Sequence, residues 1–326
     1  MTLTEMDATA EQYRDFAARQ ARGASPLYEQ LTLGVAADGE LLDLLTALPP
    51  AKRQPNLLLA ATRYLTGTAS GYDDFRRSVL DNRDAVVATM LARYTQTNEP
   101  GRCAALYPLL ASLPQPVALL EVGASAGLCL YPDRYAYDYD GRAAGAVDSP
   151  LRLSCRTEGS PPPHLAEPGP VTVAWRAGID LNPLDVRNAD DVRWLRTLVW
   201  PEQDERLRRL DTAIALAQAD PPHLLRGDLN ARLGELAAQA PAHATLVVFH
   251  TAVLCYVPDE ERAAFVDQVG RLDCRWISQE GPEFFPGIAA RLRRQPPADT
   301  ITYVLAQDGR PLAFSAMHGG WIQWLP

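Results

Sequence analysis

Residues 117–127 read VALLEVGASAG, and every other segment is read from this stretch outward. A run of apolar residues ends at Glu121 and Val122. Gly123, Ser125 and Gly127 then alternate with alanines. An apolar run bounded by small turn residues suits a buried strand that ends in a tight turn. Glycine at 123 admits backbone angles closed to other residues, and glycine at 127 lets a following helix lie close to the sheet. Such a turn is expected to offer bare N–H groups at a helix N-terminus, a place for an anion or the edge of a nucleotide. An acid at the strand's end, Glu121, suits hydroxyls or a cationic centre instead.

The residues before it read as short helices. Apolar residues recur at helical spacing from residue 5 to residue 113, broken by Pro49-Pro50, Gly71 and Pro100-Gly101, with no clean two-residue alternation. After the linker Pro114-Gln115-Pro116 the pattern changes. Strand-like segments at 135–139, 151–155, 171–175, 223–229, 245–249 and 275–278 alternate with helical ones at 190–219, 231–240 and 260–272. The strand-like segments 301–306 and 312–317 are joined by Gln307-Asp308-Gly309-Arg310, a hairpin turn. Strands alternating with helices imply parallel crossover units. The expected organisation is an all-α subdomain over 1–114 and an α/β domain over 115–326, with a β-rich insert near 132–176.

Composition bounds the function. The chain has 326 residues, of which 47% are hydrophobic, and a formal net charge of −9. That is ample for a core. An acidic chain whose only lysine is Lys52, with short basic clusters at 206–209 and 291–294 that read as solvated faces, is poorly suited to nucleic acid. Five scattered cysteines, never spaced CxxC, and five histidines without an HExxH pair argue against a zinc site or a disulfide framework. No metal is expected. The start, MTLTEMDATAEQYRDF, lacks the basic and apolar regions of a signal peptide. No apolar run approaches the roughly 20 residues of a membrane helix. The expectation is a cytoplasmic protein without membrane or nucleic-acid partners that acts on a small molecule; its oligomeric state is not legible.

The opening stretch admits three readings. Glu121, Gly123, Ser125 and Gly127 form a nucleotide or S-adenosylmethionine turn. Alternatively, GASAG is a nucleophile elbow with Ser125 as nucleophile and Asp228 and His250 completing a triad. In the third, the small residues serve packing alone. An elbow normally follows several strands, and here helices precede it. The only HGG lies at 318–320. At the carboxyl edge of a doubly wound sheet, where ligands bind at the switch point, the strands end in Glu121, Asp180, Asp228, His250 and Glu280. Asp180 is placed to accept ribose hydroxyls and Asp228 the adenine amino group, though an acid after a strand also serves as a helix N-cap.

In this order the residues resemble the class I S-adenosylmethionine-dependent methyltransferases: LLEVGASAGL at the first strand, GIDLNPLDV at the second, RGD at the third, VVFHTAVLCYV at the fourth, and a closing hairpin. With WLRTLVWPEQ and ERLRRL, the chain is similar more narrowly to an uncharacterised family of bacterial proteins. The resemblance implies a Rossmann-like α/β sheet with a closing antiparallel hairpin after an all-α subdomain. It implies S-adenosylmethionine as cofactor and methyl transfer to a small molecule, or cofactor binding without catalysis. Glu121, Gly123, Ser125, Gly127, Asp180 and Asp228 are the cofactor candidates, with Asp138 in YAYDY as rival to Asp180. His250, Glu280 and His318 are the catalytic candidates, and Asn98 and Arg102 the substrate candidates. Two departures stand out: Pro132 cuts short the helix after the glycine turn, and an insert separates Gly127 from Gly178.

Overall fold

A computed structural model describes residues 4–297 and 301–326; residues 1–3 of the stretch read against a signal peptide lie outside the described residues. The chain forms two compact units, Met1–Thr97 with Asn188–Arg208, and Asn98–Arg187 with Arg209–Pro326. The boundary expected at 114 therefore falls at 97. The reason is the helix Cys103–Ala111, whose CAALYPLLA sequence buries nearly every side chain in the second unit.

The first unit is helical, as its periodicity implies. Thr4 and Asp7 cap the helix Glu5–Phe16 reciprocally, at 3.1 and 3.2 Å. Ser25 caps Pro26–Ala37 and Asp38 caps Gly39–Thr46. Leu41, Leu45, Leu58, Val79 and Met90 fill the interior. Trp194 and Trp200 belong to this core. Trp194 is fully buried and donates its Nε1–H to Tyr94 O at 3.0 Å. The Trp200 ring lies 5.7 Å from Phe16 and 5.6 Å from Tyr28.

Among the described residues the second unit has twelve strands, nine of them in one sheet. In chain order, β1 is Val117–Val122, followed by an insert holding β2 (Ala136–Tyr139), β3 (Arg142–Gly145), β4 (Arg152–Ser154) and β5 (Arg156–Glu158). Then come β6 (Val173–Asp180), β7 (His223–Arg226), β8 (Thr245–Thr251), β9 (Arg275–Glu280), β10 (Thr302–Gln307), β11 (Arg310–Ala316) and β12 (Trp321–Trp324). The main sheet runs β5-β12-β11-β10-β9-β8-β1-β6-β7. Its centre, β7 to β9, is parallel, and β10, β11 and β12 each run against their predecessor. Segment 171–175 and the GID of GIDLNPLDV resolve into the single strand β6, because Arg176 and Ala177 continue the pleat beside β1. The hairpin turns at Asp308 and Gly309, both with positive φ. The sequence reading does not anticipate β12 or β5, short strands with mixed composition, β5 at the edge of the sheet and β12 between it and β11.

Successive strand residues face opposite sides of the sheet. Leu120, Val122, Ile179 and Val248 face the helices Leu229–Ala237 and Asp259–Val269, meeting Leu233, Phe265 and Val269. Leu119 and Glu121 face the other way, toward Cys103–Ala111 and the insert. There β2, β3 and β4 form a small sheet of their own. YAYDY puts Tyr135, Tyr137 and Tyr139 on one face; their hydroxyls donate to Leu128 O, Pro132 O and Ala104 O at 2.6 to 2.7 Å. Each buried phenol thus has an acceptor.

The chain changes direction across the sheet between β1 and β8. The parallel strands that follow β1 in sequence, β6 and β7, lie on one side, and β8 and β9 on the other. Gly178 of β6 sits opposite Glu121, where a Cβ would stand 2.4 Å from the Ala124 Cβ. Gly178→Ala is therefore expected to destabilise the fold by about 1–3 kcal/mol, read as a lower urea midpoint. An unchanged midpoint would show that the turn is not packed against β6.

Candidate functional site

The glycine turn is closed upon itself. The Gly123 and Ala124 N–H groups donate to Ile179 O at 2.8 and 3.1 Å, and Gly127 N–H to Ala124 O at 2.6 Å. Ser125 N–H donates to Asp180 Oδ2 at 2.8 Å, and Leu128 N–H to Asn98 Oδ1 at 2.7 Å. Gly123, Ser125 and Gly127 all have positive φ, 71°, 51° and 72°. A Cβ on Gly123 would meet Val253 at 2.2 Å, and one on Gly127 would meet Pro222 at 2.8 Å. These glycines make room for the protein's own side chains. Beyond them stands only the 3₁₀ turn Leu128–Leu130. The expected row of bare N–H groups at a helix N-terminus is thus corrected: Pro132 leaves no helix, and Ile179, Asp180 and Asn98 take the donors. Asn98, a substrate candidate, is buried and holds this turn.

Glu121 has a different character. It is 1% exposed, and among the described residues its Oε2 is buried without a hydrogen-bond partner. Burial holds its carboxyl well above the usual carboxylate range; Cys129 adds to this, Arg102 opposes it, and Asp180 adds again. Arg102 is itself buried. Its Nε donates to Met317 O at 2.9 Å and its Nη1 to Thr251 O at 3.0 Å, so it ties the end of β8 to the C-terminal segment. That role is structural, which corrects its reading as a substrate contact. Its neighbour Glu99 accepts Gly101 N–H at 2.9 Å and pairs with Arg209 at 3.0 Å, so Arg209 is no purely solvated cation. Cys129 donates to Glu99 O and Cys103 to Cys129 O.

His250 lies on the opposite face of the sheet from Glu121, beside Val122. It is fully buried against Phe265, Trp276 and Phe285. Its Nε2 accepts the Trp276 indole N–H at 3.0 Å, which makes Nδ1 the donor to Glu280 Oε1 at 2.8 Å. With no ring nitrogen left for a substrate or for Ser125, it is neither general base nor triad member. Sequence reasoning missed Trp276, and nothing in its spacing marks it. Glu280 Oε1 also accepts Val253 N–H and Leu254 N–H at 3.0 and 3.2 Å. Its Oε2 is buried without a partner among the described residues.

The remaining candidates separate. Asp180 is half-buried at the end of β6; besides Ser125 it accepts Asn182 N–H at 2.7 Å. Leu181, next in sequence, is 67% exposed. Asp138 lies in the small sheet and accepts Gly141 N–H at 2.7 Å, so of the two rivals only Asp180 stands beside β1. Asp228 is exposed and caps the helix Leu229–Ala237 through Ala231 N–H at 3.0 Å, the ordinary use of an acid after a strand. His318 packs on the Pro100–Arg102 turn, its carbonyl 2.5 Å from where a Gly101 Cβ would stand. The elements thus gather Glu121, Asp180 and Glu280 at one sheet edge, with Arg102 and His318 above, and leave Asp138 and Asp228 outside. Ser125 has a left-handed backbone, as an elbow serine would, but is 4% exposed.

Fold and edge together define a mixed α/β protein with a largely parallel sheet and a buried acidic carboxyl edge. The chain belongs to a family of uncharacterised proteins conserved in bacteria (DUF2332), whose model matches residues 10–324. A search of curated proteins found no match. Among the described residues, no helix is long and apolar enough to cross a membrane, and no cluster of metal-ligating side chains occurs.

The state of Glu121 has a measurable sign. Its folded carboxyl holds its proton where the unfolded chain, titrating near 4.3, has lost it. The native state then binds more protons, so this group's contribution falls as pH rises above that value. Glu121→Gln removes the dependence. Its stability relative to wild type should climb as pH rises above the unfolded value, with a slope of up to about 1.4 kcal/mol per pH unit, in paired urea titrations. A pH-independent difference would show that Glu121 is ionised in the native protein.

Proposed function

We propose that this protein binds S-adenosylmethionine at the carboxyl edge around β1 and β6 and transfers its methyl group to a small molecule. The observation that carries this reading is the buried, unpartnered Oε2 of Glu121 beside the point where the strand order reverses. A turn whose N–H groups are largely taken and whose unmatched group is a carboxyl oxygen disfavours a phosphate and suits a cation. S-adenosylmethionine is such a ligand: it carries an ammonium and a sulfonium.

Glu121, which burial keeps protonated in the free protein, would lose its proton beside the ligand's ammonium and hold the amino-acid end. Asp180, half-exposed at the next strand, would accept the ribose hydroxyls, since each carboxylate oxygen accepts more than one hydrogen bond. The exposed Leu181 beside it offers an apolar face to the adenine. When bound, the cofactor supplies an electrophilic methyl group. The chain's part is to align the acceptor and exclude water. Gly123, Ser125 and Gly127 shape the floor through their backbone, and Asp228 drops out of the cofactor set. The sealing of His250 favours a second reading, cofactor binding without turnover.

Calorimetry with S-adenosylmethionine and S-adenosylhomocysteine tests the proposal. Wild type should bind both. Asp180→Ala should bind at least about tenfold more weakly, equivalent to about 1.4 kcal/mol. Leu181→Ala, which leaves the turn's hydrogen bonds in place, should lose affinity while keeping wild-type stability. Failure of wild type to bind either ligand would remove the central claim. Binding without release of S-adenosylhomocysteine for any acceptor offered would favour the second reading.

A further inference from the structure

We propose that the edge around the end of β9 is the acceptor subsite, and that it takes a small amine with an apolar or aromatic body, its N–H bonded to Glu280 Oε2. This rests on the reading of the β1–β6 edge as the cofactor site and adds the substrate class to it. Glu280 lies across β8 from Glu121. It is 2% exposed, and its two oxygens are treated very differently. Oε1 receives three donors, from His250, Val253 and Leu254, and Oε2 receives none among the described residues. A buried carboxylate oxygen without a donor is costly, and only a donor can match it.

The surroundings restrict that donor. The Leu254–Tyr256 turn covers Glu280 and carries Tyr256, whose side chain is 61% exposed. Cys255 and Tyr303 are half-buried nearby. The Tyr303 hydroxyl is pushed up chiefly by burial, and it also feels Arg102, Glu280, Cys255 and Tyr256 electrostatically. Aromatic faces and a carboxylate together suit an amine, through a charge-assisted hydrogen bond and ring contacts. A carboxylate ligand has no donor for Oε2. An alcohol has one, without the charge. Entry displaces the Leu254–Tyr256 turn.

The chemistry closes without His250. Glu280 Oε2 would take one proton from the bound ammonium and so free the nitrogen lone pair for the electrophilic methyl group that S-adenosylmethionine would supply; the C–S bonding pair would stay with sulfur, and the product would leave as the methylated ammonium.

The test uses the full chain, with and without S-adenosylhomocysteine, titrated with benzylamine, benzyl alcohol and benzoate at equal concentration. Saturable binding is expected for benzylamine only, at least tenfold weaker in Glu280→Gln, whose Oε1 still accepts the three donors. The exposed Tyr256→Ala should weaken it severalfold, and this variant carries the test if Glu280→Gln fails to fold by circular dichroism. Equal binding of the three probes, absence of benzylamine binding, or affinity unchanged in the variants would overturn the proposal. Loss of cofactor binding with benzylamine binding intact would remove the methyl-acceptor role and leave the amine site.

Discussion

The carboxylate of Asp180 is the constraint on which the edge of the sheet depends. One of its oxygens holds Ser125 N–H, and the other holds Asn182 N–H. It thus fixes the turn after β1 and the turn after β6 in one geometry. Ile179 O takes two further N–H groups of the first turn, and Ser125 O takes Leu184 N–H from the second. Two loops that would otherwise be separate become one hydrogen-bonded unit. Gly178 lies beneath it, where any side chain would strike Ala124. Three residues of GIDLNP therefore have definite physical tasks: a glycine for clearance, a carbonyl for two donors and an acid for two more.

This unit decides what the edge can bind. Backbone N–H groups attract anions only while they lack an internal acceptor. Here the second strand supplies acceptors, and the positive end of a helix is missing because Pro132 follows a single 3₁₀ turn. What is left unmatched is acidic. Among the described residues, Glu121 and Glu280 each bury an oxygen without a donor, on the two strands that flank β8. Arg102 lies close to both electrostatically. Its N–H groups nonetheless go to Met317 O and Thr251 O, with Thr251 Oγ1 at 3.3 Å. The arginine thus offsets charge without satisfying either oxygen.

The course of the sheet was legible because it rests on local pattern. An apolar run ending in small residues, alternation of strand and helix, and a DG turn each reflect short-range sterics and burial. The buried partners were not legible, because they join residues far apart in the chain. His250 looked like a base from its place after an apolar strand. Only the fold brings Trp276 and Glu280 to its two nitrogens, 26 and 30 residues further on. Asn98 and Arg102 looked like substrate contacts from their place before β1; Leu128 and Met317, the latter 215 residues away from Arg102, account for them. Short strands such as β12 escape for a related reason: half-exposed, they carry too little hydrophobic alternation to register.

The sheet's alternation then explains why one edge holds two environments. Glu121 and His250 sit on adjacent strands, but their side chains leave by opposite faces. On the face of His250, aromatic rings from Phe265, Trp276 and Phe285 close around a fully paired imidazole, and Glu280, which receives the imidazole N–H, keeps its Oε2 unmatched among the described residues. On the face of Glu121, the Pro100–Arg102 turn and the C-terminal His318-Gly319 pair close over polar groups that are not all paired. Their backbones meet so tightly that a Cβ on Gly319 would stand 2.3 Å from Gly101 O. A contact made by two glycines has no side chains to interdigitate and gains little apolar burial of its own. That face owes its chemistry to the Glu121 carboxyl, whose Oε2 has no partner among the described residues, rather than to the strength of this contact.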